Sequence, residues 1–278
     1  KEYAEQLAKL QAEAPSMNWL FVKRRMKSEL GNDWLINFER FEKVAVKAAS
    51  LGQVHKATIK NSRNIVACKL QYPDMESAIK ADLKQLKLIL KIYKQIDSSI
   101  ITEDIYTELQ ERLIEEVDYV KEVKHINYYK NIFLKNNNIQ VPDTFSSLST
   151  SKLITMSWLE GDALSKYYKE KSTIRNNIAL NLFKAWYLPF YKYGIIHGDP
   201  HPGNYTIKNN GKEINLLDYG CIRIFSSSFV EAVIKLYFAL KTKNNSLAAE
   251  AYKSWGFTKL NNDLIETLNI WALYLYGP

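Results

Sequence analysis

One short segment, IIHGDPHPGN at residues 195–204, places two histidines, an aspartate and an asparagine among residues that stiffen or bend a chain. Its apolar start is typical of a segment anchored in a core, and Gly198 and Pro200 favour a fixed, non-helical loop. Such a loop can hold Asp199 and Asn204 at a set distance. A carboxylate there can accept a hydroxyl proton, and an amide oxygen can bind a hard cation.

A second carboxylate follows in INLLDYG, residues 214–220. The apolar strand predicts that Asp218 stands at a strand end, with Gly220 letting the chain turn away. Asn204 and Asp218 together could hold magnesium, which prefers oxygen ligands and leaves positions for phosphate oxygens. Each element alone is more typical of an ordinary turn. Their order and spacing match the protein-kinase-like plan of a catalytic-loop Asp and Asn followed by a metal-binding Asp-x-Gly.

That plan requires a lysine on a strand of the small lobe, which VACK (66–69) supplies as Lys69. A strand lysine by itself is most often a solvated edge residue. Joined to the downstream carboxylates, Lys69 becomes a candidate for phosphate contact. Its expected helix partner is Glu122, in a segment rich in acids. On one continuous helix Glu115, Asp118 and Glu122 share a face while Glu116 points elsewhere; the alternative is a solvated acidic face.

Composition limits the classes of function. The chain has 278 residues, 46% hydrophobic and 24% charged residues, and a net charge of +8, as expected of a globular protein with a substantial core. Two cysteines without metal-ligand spacing argue against a disulfide framework and a zinc site. The sequence contains no uncharged apolar run of about 18 residues, so it predicts no membrane-spanning helix in this chain. Scattered lysines without a recognised motif argue against a nucleic-acid partner. We expect the chain to be a piece of a longer protein.

The coarse pattern predicts an α+β fold with two lobes. Residues 1–158 would form a small lobe that carries an N-terminal helical extension, a three-stranded antiparallel meander and inserted helices, and residues 159–278 a mostly helical lobe with the catalytic and metal-binding loops. The hinge would lie near Ser157–Gly161. The expected helices are 2–30, broken at Pro15 and capped by Ser16 or Asn18, then 74–96 and 102–134. The expected strands are RFEKVAV, QVHKATI, NIVACKL, 139–145, 151–158, and YTIK and EINLL around a tight turn at 209–211.

The chain resembles the UbiB family of atypical protein-kinase-like proteins, which is associated with coenzyme Q biosynthesis. The fold this resemblance implies is the bilobal protein-kinase-like fold. The HGDxHxxN pattern is shared with small-molecule kinases, whereas the Ala-Ala-Ser loop, the Glu-x-Asp pair and the Gln-Tyr-Pro after the strand lysine are more specific. The motifs that carry the resemblance are KAASLGQVHKA (47–57), VACKLQYP (66–73), EVDYVKE (116–122), TMSWLEG (155–161), HGDPHPGN (197–204) and LDYG (217–220).

The resemblance implies a role for each matching residue. Asp199 would be the catalytic-loop aspartate, Lys69 would pair with Glu122, and Asn204 and Asp218 would bind Mg²⁺. Glu116 and Asp118 would be the family's Glu-x-Asp, which conflicts with the helix-face preference for Glu115 unless the helix is locally irregular. ATP or ADP would bind along Ala48, Ala49, Ser50, Lys69, Met156, Ser157, Trp158 and Leu159, the last four as the hinge segment.

Two departures from the family pattern stand out. Its loop usually reads Ala-Ala-Ala-Ser, and here Lys47 takes the first position, where its side chain could face solvent or reach nucleotide phosphates. The family's Lys-x-Gly-Gln motif, which lies before a segment like residues 1–15, does not occur in this sequence. We expect the given sequence to begin after this motif, in which case Glu116 and Asp118 lack an expected partner here.

The leading function is therefore an ATP/Mg-dependent phosphotransferase or ATPase that supports quinone-lipid biosynthesis at a membrane surface, with doubtful protein-kinase activity. Implied partners are nucleotide, a lipid or quinone precursor, a membrane surface and quinone-biosynthesis proteins. Localisation would be cytoplasmic at the inner membrane in a bacterium, and mitochondrial or plastid in a eukaryote. The alternatives are a small-molecule kinase of the aminoglycoside or choline type, which the few acids after residue 260 disfavour, and a nucleotide-gated lipid- or protein-binding scaffold.

Overall fold

The computed structural model describes residues 16–48, 51–97 and 101–276. The chain divides into two compact units. Unit 1 comprises Lys1–Asn181 and Asp199–Cys221, and unit 2 comprises Leu182–Gly198 and Ile222–Pro278. This division does not coincide with the predicted lobes, whose boundary near residue 158 lies inside unit 1, and that boundary stays a prediction. None of the helices in the described ranges combines the length and apolar character needed to cross a membrane.

A mixed α+β architecture with antiparallel sheets and many helices is present, as the sequence predicts. The helices are α1 (Trp19–Leu30), α2 (Met75–Ile96), α3 (Thr102–Glu116), α4 (Tyr119–Phe133), α5 (Ser172–Tyr193), α6 (Ser227–Lys241), α7 (Asn245–Ser254) and α8 (Asn262–Tyr276). The strands are β1 (Phe38–Phe41), β2 (Lys47–Ala48), β3 (Gly52–Ile59), β4 (Ile65–Gln71), β5 (Ile139–Gln140), β6 (Leu153–Ser157), β7 (Asp162–Ala163), β8 (Ile195–His197), β9 (Tyr205–Lys208), β10 (Glu213–Leu216) and β11 (Ile222–Ile224).

The first sheet of unit 1 has the strand order β1-β3-β4-β6, with β2 paired to β3. The predicted antiparallel meander is present as β1, β3 and β4. The strand expected over 40–46 was wrong beyond Phe41, because residues 42–46 are not in a strand and β2 begins only at Lys47. Helix α1 packs on this sheet through the buried residues Val22 and Met26. As predicted, Asn18 caps α1, because its side chain accepts the backbone N–H groups of Leu20 and Phe21. The helix predicted before Pro15 lies outside the described residues.

A second sheet of unit 1, ordered β5-β10-β9-β7, carries the candidate loops. Strands β9 and β10 form the predicted hairpin with Lys208 opposite Glu213. In its turn Asn209 and Asn210 adopt positive φ angles of 51° and 54°, followed by Gly211 at 86°. Asn and Gly tolerate this left-handed backbone best, which is why the sequence signal there is reliable.

Unit 2 is built from helices and one short two-stranded ribbon. Strand β8 pairs antiparallel with β11. Helices α6, α7 and α8 share an apolar core that includes Leu236, Ala251 and Ile265. Small alanines recur among the buried residues of this core and allow the helices to approach closely.

Candidate functional site

Lys69 lies on the face of β4 opposite the apolar core. Side chains alternate along a strand, and Val66, Cys68 and Leu70 are fully buried in the core beneath α1. The alternation therefore turns Lys69 to the other face of the sheet. There its Nζ lies 2.6 Å from Glu122 Oε1 and 3.5 Å from Asp218 Oδ2. The pair between Lys69 and Glu122 that the resemblance implies is present.

Glu122 occupies a buried position on α4 that is otherwise apolar or aromatic. Its helix neighbours on the same face, about one turn or more away, are Tyr119, His125, Ile126 and Tyr129, all of them buried. Only 3% of the Glu122 side chain is exposed, against 13% for Lys69. A carboxylate in this position depends on its cation, because water cannot solvate it.

The electrostatics of the cluster stabilise the ammonium of Lys69. Burial alone would lower the pKa of Lys69, but the charges of Asp218 and Glu122 outweigh burial and raise it. Burial raises the pKa of Glu122, and the attraction of Lys69 acts against that rise. Lys69 is therefore charged, and its attraction favours the ionised form of Glu122.

The helix predicted to run unbroken over 102–134 is interrupted, which corrects the helix-face prediction. Helix α3 ends at Glu116, and Asp118 caps α4 by accepting the Lys121 backbone N–H at 3.0 Å. Glu115 makes ion pairs with Arg112 and Lys121 instead of sharing a face with Glu122. The expected row of three acids on one face was wrong for Glu115, because α3 ends at Glu116 and no continuous helical periodicity connects Glu115 with Glu122.

Glu116, at the end of α3, interacts electrostatically with the charged residues of the candidate site. Glu116 is exposed at the surface, and desolvation by its surroundings is the first cause that raises the pKa of its carboxyl. The negative charges of Asp218 and Asp199 raise the pKa further, while Lys69 lowers it. The helix break between α3 and α4 removes the helix-face argument against Glu116, and the Glu-x-Asp assignment itself stays a prediction. Asp118 caps α4.

The register of the β9–β10 hairpin brings the two predicted metal ligands to the same end. Tyr205 stands opposite Leu216, so Asn204 immediately before β9 and Asp218 shortly after β10 are neighbours across the hairpin. A backbone hydrogen bond of 3.0 Å from Leu217 N to Asn204 O closes this end. The apolar residues that set the register thus also position Asn204 and Asp218.

Asp199 and Asn204 are fixed to each other within the loop. Asn204 Nδ2 donates to Asp199 Oδ2 at 2.9 Å and to the Asp199 carbonyl at 3.2 Å. Asp199 Oδ1 accepts the backbone N–H of His201 at 3.3 Å, and His201 Nδ1 accepts the backbone N–H of Gly203 at 3.1 Å. The predicted rigid loop is therefore held by side-chain hydrogen bonds as well as by its prolines.

The donor set suits a hard cation that is completed by phosphate. Among residues 16–48, 51–97 and 101–276, no three His, Cys, Asp or Glu side chains are grouped so that they could hold a metal by themselves. Because Asp199 takes the Asn204 amide nitrogen, Oδ1 is the Asn204 atom that could meet a cation. Asp218 Oδ1 accepts the Gly220 N–H at 3.0 Å, which orients the carboxylate. One carboxylate and one amide oxygen fit Mg²⁺, which commonly keeps waters and phosphate oxygens in its remaining positions.

Lys47 reaches the same loop from β2. Its Nζ donates to the Gly203 carbonyl at 2.7 Å, between residues 156 positions apart in sequence. Desolvation is the largest cause that lowers the pKa of Lys47, and repulsion from Lys69 lowers it too, while attraction to Asp218 and Asp199 acts against that fall. Of the two placements left open by the sequence, the structure thus directs the side chain toward the candidate site. Ala48 follows it in β2 opposite Gln53, whereas Ala49 and Ser50 lie outside the described residues.

The expected hinge segment begins in the last two residues of β6 and continues beyond the strand. Met156 is buried and pairs with Ala67 of β4, and Ser157 to Leu159 are partly exposed. The backbone N–H of Ser157 donates to the Asp143 carbonyl, and that of Trp158 donates to the Ile65 carbonyl. An adenine ring would therefore take its hydrogen bonds from other backbone groups of this segment.

Three residues that support the site were given no role by sequence reasoning. Gln71 Nε2 donates to the Val117 carbonyl at 2.9 Å, inside the break between α3 and α4. Arg25 binds the carbonyls of Gln71 and Tyr72. The Tyr119 ring lies 5.4 Å from Lys69 Nζ, a cation–π distance. The Gln-Tyr-Pro motif was the available signal, but its action on a distant helix end cannot be read from spacing.

Comparisons with known proteins agree with this geometry. Residues 9–252 match the family described as ABC1 atypical kinase-like domain. The chain is 30% identical over 253 residues to Protein ACTIVITY OF BC1 COMPLEX KINASE 7, chloroplastic, from Arabidopsis thaliana, covering 88% of this chain and 35% of that protein. It is 28% identical over 236 residues to Atypical kinase COQ8, mitochondrial, from Saccharomyces cerevisiae, covering 85% and 47%.

Further similarity extends to an animal protein and to a solved structure. AarF domain-containing protein kinase 1 from Gallus gallus is 31% identical over 246 residues, covering 86% of this chain and 47% of that protein. The solved structure of Rv3197 from Mycobacterium tuberculosis in complex with erythromycin superposes with a TM-score of 0.75 at 26% identity, covering 99% of this chain and 69% of that one. The chain thus spans between about a third and a half of these curated relatives. It has a protein-kinase-like α+β fold and belongs to the UbiB family of ABC1 atypical kinase-like proteins.

Proposed function

We propose that unit 1 binds ATP or ADP together with Mg²⁺ and that the protein catalyses ATP hydrolysis or phosphoryl transfer. The observation that carries this proposal is the convergence of the Glu122 and Asp218 carboxylates within 3.5 Å of the Lys69 ammonium. A largely buried, charged lysine beside a partly exposed carboxylate offers both a phosphate contact and a metal ligand. Membership in an atypical kinase-like family supports the same chemistry.

Each side chain takes a definite part in this proposal. Lys69 contacts nucleotide phosphates, and Glu122 holds its ammonium in place. Asn204 and Asp218 hold the magnesium ion, which when bound supplies charge neutralisation to the phosphates. Asp199 orients or accepts the proton of the attacking hydroxyl or water, because its carboxylate is fixed by Asn204 and by the His201 backbone. Glu116 interacts electrostatically with Asp218, Asp199 and Lys69, and it is the member of the Glu-x-Asp pair that influences the charge of the site.

The remaining nucleotide contacts come from two segments. The loop Ala48, Ala49 and Ser50 covers the phosphates, and the segment Met156 to Leu159 contacts adenine. Gly52, just after the loop, is tightly packed, since a Cβ built there would lie 2.4 Å from the Leu70 carbonyl oxygen. This packing fixes Gly52, the first residue of β3, against β4, the strand that carries Lys69.

We further propose that the protein supports quinone-lipid biosynthesis and acts at a membrane surface. The support for the pathway is family membership and similarity to proteins named COQ8. The support for a surface role within unit 2 is a group of exposed aromatic side chains on α5, Phe183, Tyr191 and Tyr193. Co-sedimentation with anionic liposomes tests this part, with pelleting expected to fall as salt is raised; equal recovery in the supernatant with and without liposomes would contradict it.

Thermal unfolding tests the nucleotide proposal. Mg-ATP or Mg-ADP at a hundred times its dissociation constant should stabilise the protein by about 2.7 kcal/mol. Asp218→Asn removes one charge from the cation site and should abolish the part of the stabilisation that depends on Mg²⁺. Asp82→Asn removes an exposed carboxylate on α2 and should behave as the wild-type protein does.

Two results would count against the proposal. One is an unfolding temperature of the wild-type protein that does not change with either nucleotide in the presence of Mg²⁺. The other is a Mg²⁺-dependent shift that is the same in Asp218→Asn as in Asp82→Asn, which would place the metal away from Asp218.

A further inference from the structure

Lys47 joins two segments that are far apart in sequence and meet at the candidate site. It lies in the two-residue strand β2, which pairs with β3 through Lys47 opposite Val54. From this exposed position its side chain extends to the loop that carries Asp199 and Asn204. The hydrogen bond from Lys47 Nζ to Gly203 O, at 2.7 Å, ends one residue before Asn204.

The ammonium of Lys47 is set among the charges of the site. Its largest influences after desolvation are attraction to Asp218, repulsion from Lys69 and attraction to Asp199. The side chain is therefore within electrostatic range of the predicted metal ligand, the predicted catalytic aspartate and the other site lysine. The exposed Glu116 adds a further negative charge, which interacts electrostatically with the same two aspartates. A second ammonium in this group changes the number of positive charges that meet an incoming phosphate.

The hydrogen-bonding capacity of Lys47 suits a phosphate contact. A lysine ammonium has three N–H donors, and the bond to Gly203 uses one of them. Its four-carbon stem allows the ammonium to shift without moving β2. A charged donor beside a cation site can bind the same phosphate oxygens that a metal ion neutralises.

We propose that Lys47 is a phosphate-contacting residue that shares the neutralisation of the nucleotide with the divalent cation, so that nucleotide binding depends less on Mg²⁺ than it would with alanine at this position. This inference rests on the proposed function of the site. It assigns a binding role to a residue at which the chain departs from its family's loop pattern. The geometry that carries it is the Lys47 ammonium beside Gly203, Asp199 and Asp218.

Lys47 lowers the dependence of nucleotide binding on Mg²⁺ in two ways. Without metal, its charge offsets repulsion between the phosphates and the carboxylates of Asp199 and Asp218. With metal, its charge disfavours a second cation nearby, so Mg²⁺ gains less than it would if Lys47 were absent. The ratio of the nucleotide dissociation constants measured without and with Mg²⁺ reports both effects, and a merely structural role would not change that ratio.

Isothermal titration calorimetry with ADP, in excess Mg²⁺ and in EDTA, tests the proposal. Lys47→Ala should weaken binding in EDTA by about tenfold or more, the range expected for a charged hydrogen bond, and should weaken binding much less in Mg²⁺. Lys47→Arg should restore most of the binding in EDTA. Lys47→Met retains the aliphatic stem and should behave as Lys47→Ala does, which separates loss of charge from loss of packing.

The matched control is Lys60→Ala, which removes the same charge from an exposed residue after β3. The proposal is overturned if Lys47→Ala leaves the ratio unchanged, if Lys60→Ala raises it equally, or if wild-type binding cannot be detected in EDTA although Mg-ADP binds. In those cases the proposed nucleotide site remains. If the wild-type protein binds ADP under neither condition, the proposed function and this inference both fail.

Discussion

Substitution of Lys69 by methionine tests the buried ion pair most severely. Methionine preserves most of the volume of the side chain and removes its charge. It leaves Glu122, whose side chain is 3% exposed, with no cation at 2.6 Å. Asp218 also loses a cation, but 37% of its side chain is exposed and water can replace part of that interaction.

The expected loss of stability is large at neutral pH. Breaking a buried ion pair by removing one partner typically costs about 3–5 kcal/mol, because a charge remains buried without compensation. The alternative for the protein is to protonate Glu122. This exchanges the cost of a buried charge for the cost of binding a proton, about 1.4 kcal/mol for each unit by which the pH exceeds the carboxyl pKa of the unfolded chain.

The sign of the pH dependence follows from the pKa of Glu122. Burial already raises that pKa in the wild-type protein against the attraction of Lys69, so loss of Lys69 must raise it further. A carboxyl whose folded pKa exceeds its unfolded value of about 4.3 contributes stability that is complete below about pH 4. This contribution is lost as the pH rises through the folded pKa. Lys69→Met should therefore become less stable relative to wild type as the pH increases from about 5 to about 8.

Urea unfolding followed by tryptophan fluorescence measures this dependence across that pH range. The control is the double variant Lys69→Met/Glu122→Gln, which cannot titrate at position 122 and should show no additional slope. If Lys69→Met had the stability of wild type at about pH 8, or the same pH slope as the double variant, then Glu122 would not be the buried partner of Lys69.

Two further substitutions test how the site is supported, both by urea unfolding. Gly52→Ala should destabilise the protein by about 1–3 kcal/mol, since its Cβ would lie 2.4 Å from the Leu70 carbonyl oxygen. Gly220→Ala is the matched control, because the nearest atom is 3.4 Å away and its stability should stay close to wild type. Asp118→Ala should cost about 0.5–2 kcal/mol by removing the cap of α4, whereas Asp118→Asn keeps an oxygen acceptor; equal losses in the two variants would show that the cap contributes nothing.

Local chemistry made several elements predictable from the sequence. Asn18 precedes an apolar-periodic segment and caps α1 through two backbone N–H groups. Asn209 and Asn210 precede Gly211, and all three adopt the positive φ angles that these residue types tolerate. Alternation along β4 predicts that Lys69 leaves the face occupied by Cys68. In each case the determining interaction lies within a few residues.

The break between α3 and α4 was not predictable in the same way. No glycine or proline lies between Leu113 and Glu122, so the acid-rich segment favours a continuous helix. The break depends on the side-chain cap at Asp118 and on Gln71, which binds the Val117 carbonyl from 46 residues away. Spacing arguments assume a continuous helical periodicity, and on that assumption Glu115 would share a helix face with Glu122. In the structure the two residues lie on different helices.

Lys47 shows a second limit of sequence reasoning. Its position in the loop pattern was visible, but the two placements open to its side chain differ only in tertiary contacts. The partner that decides between them, the Gly203 carbonyl, belongs to a loop whose sequence position carries no information about β2. Contacts of this kind depend on how two sheets are connected, which no local pattern specifies.

A crystal structure of the protein grown with Mn²⁺ and ADP, with the metal located by its anomalous scattering, tests the central claim most directly. The expected result is a metal ion bound by Asn204 Oδ1 and an Asp218 carboxylate oxygen and by phosphate oxygens, with Lys69 still paired to Glu122. A nucleotide bound in unit 1 with its metal away from Asn204 and Asp218, or with Lys69 distant from its phosphates, would contradict the assignment of this site.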